Sequence, residues 1–176
     1  MQKTKDCTAI FYGHQPETLK SGHKQIIEAL RKEIQNAINE GYKYFITGMT
    51  RGVDLWSAEQ VLELKKTNPQ IKLVAFDPYE NYAETFKKMD DNLVIKNSAF
   101  EPIGNFDFTT LHKKIKDNAD IYHAFKREKN DITKNQTMIK KASKVIAVYH
   151  PFEKTATAYW LAQAKKQGLK INLIQD

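Results

Sequence analysis

A single cysteine, Cys7, among 176 residues excludes an internal disulfide and puts a cysteine-based zinc site out of reach. His23, His112, His123 and His150 show no metal-ligand spacing, so no metal is expected. Glycine and proline are few, 7 and 5, and nothing reads as a repeat, a low-complexity tract or a linker, so one domain over residues 1–176 is expected. No apolar run approaches a membrane span. The opening "MQKTKDCTAIFYG" carries an apolar stretch too short for a signal-peptide core. These absences lead to the expectation of a cytoplasmic protein with no membrane partner.

What is present suffices for a core: 41% of residues are hydrophobic, with 9 Phe and 8 Tyr, which argues against disorder. The net charge of +7 suits an anionic partner, whether a phosphorylated small molecule, a nucleic acid or an acidic surface; it is equally compatible with solubility alone. "CTAIFY" (7–12), "YKYFIT" (42–47), "IKLVAF" (71–76), "KVIAVY" (144–149) and "LKINLI" (169–174) read as strands, several apolar throughout as in a sheet covered on both faces. A sixth strand is expected near 94–101.

Helical patterns fill the gaps. Residues 21–40 place Ile26, Leu30, Ile34 and Ala37 on one stripe that Gly41 ends. Further helices are expected over 53–66, 81–92, 107–126, 131–142 and 155–167, that over 107–126 with Leu111, Ile115, Tyr122 and Phe125 at helical spacing and Asp107 or Thr109 as cap. The alternation predicts an α/β fold: a single Rossmann-like, open, mainly parallel sheet of five or six strands with helices on both faces.

In such a sheet the loops "YGHQP" (12–16), "TGMTRG" (47–52), "DPYEN" (77–81) and "YHPFEKTAT" (149–157) share the carboxyl edge of the strands. The turn at 47–54 carries the most chemistry. Gly48 can take positive φ and lets backbone approach a ligand closely, and Gly52 allows tight passage into the next helix. The free N–H groups of that helix and the Arg51 fork suit a phosphate. Asp54 would repel a phosphate, so it either caps the helix or accepts a ribose hydroxyl. Both glycines also fit a plain strand-to-helix turn. His14 lies in a converging loop and could donate to a phosphate. Trp56 reads as a core residue, and Tyr159 and Trp160 as pocket or core, with core favoured for Trp160.

The string "TGMTRGVDLWSAE" resembles the turn of the SLOG superfamily of Rossmann-like domains, which includes DNA-processing protein A and the LOG-type phosphoribohydrolases. The YpsA-like branch is most similar, over almost the whole chain. Its TGHRP loop corresponds to "YGHQPETL", its GxxxGVDxWAAE turn to Gly48 through Glu59, and its Pro-aromatic pair to Pro78 and Tyr79. Its RNxxMVDxS segment corresponds to "KNQTMIKKAS" and its GGTA loop to "TATA" at 155–158. The departures are Gln15 and Lys134 for arginines, Lys140 for an aspartate, and Thr155 and Ala156 for the two glycines.

The resemblance implies binding of a nucleotide-derived small molecule, related to ADP-ribose or NAD or a cyclic nucleotide, sensed or sequestered with no cofactor required. The first loop contributes Gly13, His14 and Gln15 to the expected site, and the second Thr47, Gly48, Arg51, Gly52 and Asp54. Pro78, Tyr79, Lys134, Asn135, Thr155 and Thr157 complete it. A homo-oligomer is a further expectation. One alternative is a nucleotide N-glycosidase using Glu59, although Glu59 is offset from Asp54 by about 140° around the helix. Another is single-stranded DNA binding by the basic strip 112–144, with Tyr122 and Phe125 interleaved. Their spacing with Leu111 and Ile115 fits core-facing positions better.

Overall fold

A computed structural model describes residues 2–87, 94–96, 102–127, 130–150 and 155–176. A short helix, α1 (Gln2–Lys5), precedes strand β1 (Thr8–Gly13). Then follow α2 (His23–Asn39), β2 (Tyr44–Thr47), α3 (Val53–Lys65) and β3 (Lys72–Asp77). Strands β4 (Val94–Lys96) and β5 (Pro102–Asn105) pair antiparallel as a separate ribbon. The chain continues through α4 (Phe108–Asn118), β6 (Ile121–Ala124), α5 (Asn130–Lys141), β7 (Lys144–Tyr149), α6 (Ala156–Lys166) and β8 (Lys170–Gln175).

Six strands form one sheet in the order β6-β3-β2-β1-β7-β8, and every pairing is parallel. The α/β, Rossmann-like expectation therefore holds. From β1 the chain walks one way through β2, β3 and β6, then returns to the other side of β1 at β7. The reversal lies between β1 and β7, where open α/β sheets leave a crevice.

Two cores sort the helices by face. On one face α2, α3 and α4 bury Leu30, Trp56 and Ile115 against Ala9, Phe11 and Phe45. On the other, Met138 and Ile139 of α5 and Leu161 of α6 pack on Ile10, Ile46, Val145 and Ala147. Helix α3 is central: Val53, Leu55, Trp56, Ala58, Val61 and Leu64 are all buried, so it needs no polar stripe. Trp56 is a core residue, as expected, its ring 5.6 Å from both His23 and Phe108.

Three expected elements differ. The sheet's sixth strand is β6, inside the stretch read as one helix over 107–126. Asp107 does cap α4, accepting from the Thr110 amide at 2.9 Å. The helix stops at Asn118 because Ala119 turns extended and the Asp120 carboxylate holds the Leu73 amide (2.9 Å) and Lys65 (2.6 Å). Tyr122 and Phe125, three apart, then fall on opposite faces and join different cores. The basic strip 112–144 is thus broken, its aromatics turned inward. The region near 94–101 does contain a strand, β4, but in the ribbon; residues 97–101 lie outside the described residues. The helix expected over 81–92 begins as a 3-10 turn, Tyr82–Phe86, and residues 88–92 lie outside the described residues.

Candidate ligand-binding site

At the sheet reversal a cleft of about 350 Å3 opens between the ends of β1 and β2, the start of α6 and the first half of α5. Gly13, His14 and Gln15 enter it from the first loop, Asp54 from α3, Lys134 and Asn135 from α5, and Thr155 and Thr157 from α6. Eight of the expected residues thus meet in one place, drawn from four segments.

The floor is a polar lattice. Asp54 Oδ2 accepts from the Thr50 hydroxyl at 2.6 Å and from the Thr50 amide at 3.3 Å. Lys134, only 2% exposed, donates its Nζ to the Gly48 carbonyl at 2.9 Å. The Tyr12 hydroxyl is held protonated far above the usual tyrosine range, first by burial and then by the negative charge of Asp54. His14 Nε2 accepts from the His150 amide at 3.1 Å, so the neutral ring carries its proton on Nδ1.

The wall is the start of α6. Thr155 caps the helix, its hydroxyl oxygen accepting from the Ala158 amide at 3.2 Å, which leaves its own O–H as a donor. Thr157 donates to the Gly13 carbonyl at 3.0 Å, fastening α6 to the end of β1. The amides of the first helical turn and the positive end of the helix dipole face a cleft that Asp54 also lines. The helix start therefore suits negative oxygens, and Asp54 suits a hydroxyl donor.

Residues 10–175 match the family model described as the YspA SLOG family, YpsA. The chain belongs to the YpsA-type SLOG family. It is similar to the UPF0398 protein of Bacillus thuringiensis strain Al Hakam and to those of Bacillus cereus strains Q1 and 03BB102. Each is 29% identical over 147 residues, spanning 84% of this chain and 73% of the relative.

Six expected residues of this YpsA-type domain do not line the cleft. Thr47 is buried and bonds the Asp54 carbonyl from below at 2.9 Å. Gly48 does not have positive φ; its neighbour Met49 does, at 59°. A side chain at Gly48 would come within 2.7 Å of Asp54 Oδ2, so glycine here admits the protein's own carboxylate and lysine. Gly52, at φ 84°, is the N-cap of α3 and packs on Pro16. Arg51 faces away: its guanidinium pairs with Glu17 at 2.5 Å and lies 5.1 Å from the Phe108 ring. Pro78 is buried, and Tyr79 packs edge-on against Tyr82, with Arg127 over its ring at 5.1 Å.

Glu59 is also elsewhere, paired with Lys114 at 2.8 Å between α3 and α4. Among the described residues, the carboxylate that lines the cleft is Asp54.

The cleft also uses residues outside the expected set: Tyr12, Thr18, Thr50, Tyr82, Ala156 and Trp160. The period of two in β1 already puts Tyr12 on the face of Ile10, and Thr50 lies inside the glycine turn four residues before Asp54. Trp160, expected in the core, is half-buried; it packs against the second core and lines the cleft as well. Tyr159 is 57% exposed, in neither core nor cleft.

Proposed function

We propose that the cleft binds a nucleotide-derived small molecule, with phosphate oxygens at the N-terminus of α6 and a sugar hydroxyl at Asp54. The observation that carries this reading is the meeting of four chain segments at the sheet reversal, with helix-start donors and an aspartate lining one cleft. Membership of a SLOG family is consistent with a ligand of this general kind. The departure from paired glycines bears on how the ligand sits. Thr155 and Ala156 put side chains where glycines would leave bare backbone, so phosphate meets a hydroxyl and two or three amides at the mouth of the helix.

Binding without turnover fits the chemistry better than glycoside cleavage. Asp54 is tied to Thr50 by two hydrogen bonds through one oxygen. Both bonds occupy lone pairs that a general base would need to take up a proton. Capture of a signalling nucleotide requires only the cleft.

The test has two parts. Small molecules released by heat from purified protein are identified by mass spectrometry, and ADP-ribose, NAD and nucleoside monophosphates are titrated calorimetrically. A released nucleotide, or saturable binding that Asp54→Ala and Thr155→Val each weaken by about ten-fold, supports the proposal. No released nucleotide and no heat with any of the three overturns it. Free base appearing from an added nucleotide would favour the hydrolytic reading.

A further inference from the structure

The two sheet faces are unequally covered. Three helices, α2, α3 and α4, pack on one; α5 and α6 pack on the other, over β1, β7 and β8. Among the described residues, the half formed by β3 and β6 on that second face is reached by the four-residue helix α1 alone, through Thr4 and Lys5. A groove of about 610 Å3 runs there, larger than the cleft. Its floor is Ile46, Val74 and Phe76, and its outer wall is Ile121 of the edge strand, 51% exposed. An isoleucine in that state, continuous with a buried apolar floor, marks an incomplete layer rather than a scattered surface residue.

The rim is basic. Lys5 stands at one margin, and Lys140 and Lys141 close the other at the C-terminal end of α5. None of the three makes an ion pair among the described residues. Other lysines on this molecule do find acids, as Lys144 and Lys170 do at Glu40 and Lys65 and Lys72 do at Asp120. Apolar floor and unpaired cations define the occupant's chemistry: an apolar stripe flanked by carboxylates. A second copy of this chain would bring lysine rim against lysine rim, and the chain already carries +7.

We propose that this groove docks an acidic amphipathic helix from a partner protein, which fills the missing helix position on β3 and β6. The helix-in-groove mode requires apolar anchors at i, i+3, i+4 and i+7, here set on Val74, Phe76 and Ile121, with glutamates or aspartates reaching Lys5, Lys140 and Lys141. The reading is independent of what the cleft binds.

Three labelled peptides of about 18 residues test it by fluorescence anisotropy. One carries a leucine stripe with glutamate flanks, one the same residues scrambled, and one lysine flanks. The first is expected to bind at least about ten-fold more tightly than either other peptide. Ile121→Asp, at an exposed position that leaves the fold intact by circular dichroism, should weaken it at least as much. Lys140→Glu combined with Lys141→Glu should invert the preference toward lysine flanks. Equal affinity for patterned and scrambled peptides, or no binding of any, overturns the proposal. So does sedimentation of a dimer that Ile121→Asp splits, because the occupant is then a second copy.

Discussion

Gly13 sets the tightest constraint on the cleft. A Cβ there would lie 2.3 Å from Val53 Cγ2 and 2.4 Å from Val53 Cβ, so the end of β1 can pass beneath the start of α3 only as glycine. Gly13→Ala is expected to destabilise the protein by on the order of 2 kcal/mol in urea unfolding, as overpacking does, and Val53→Gly added to it should relieve the clash but not restore full stability. Lys134 makes a second test. Replacing it with methionine leaves the buried Gly48 carbonyl without its donor, a loss of about 1–3 kcal/mol by the same measurement. Sequence alone brought Lys134 to notice only through a resemblance, because a lysine on a basic helix reads as a solvated one. Its burial follows from the path of α5 over the strand ends, which no local pattern encodes. Arg51 shows the converse. Its place in a glycine turn suggested a phosphate ligand, yet Glu17 and Phe108 hold it on the far side.

At the scale of elements, the strands whose apolar runs are buried on both faces were legible, as were the helices with a cap and a terminating glycine. The stretch 107–126 was not, because its apolar residues satisfy both helical and extended periods. A carboxylate decides it. Burial pushes the Asp120 carboxyl up, but hydrogen bonds from Lys65, the Leu73 amide and Lys72 outweigh it and hold the group below the ordinary aspartate value of 3.8. A carboxyl depressed in the folded state contributes stability that is whole above its unfolded value and is lost as pH falls through the folded one. Asp120→Asn should therefore cost on the order of 1 kcal/mol at pH 7, with the gap to the parent protein closing as pH drops below about 4. A denaturant series across pH measures it; a gap that does not close would mean the side chain acts through packing.

At the scale of the whole molecule, the cleft joins segments from both cores: Asp54 and Gly13 belong with α3 and β1, Lys134 and Thr157 with α5 and α6. A ligand that bridges them binds the folded chain and not the unfolded one. At a hundred times its dissociation constant it should add about 2.7 kcal/mol, readable as a rise in Tm that Asp54→Ala abolishes. The number of strands and their parallel pairing were within reach of the sequence, whereas the unequal covering of the two faces was not. It follows from where the chain turns back, and the turning point is a property of the order β6-β3-β2-β1-β7-β8 rather than of any segment.

Helix α5 has one end in each place. Lys134 sits above Gly48, and Lys140 lies six residues further on, about 9 Å along the same rod. The helix is pinned near the strand ends by the Lys134 ammonium and further along by Met138 and Ile139 in the second core, and the two lysines lie less than two turns apart on it. A change at the strand ends that moved this helix would carry the basic margin of the open sheet face with it.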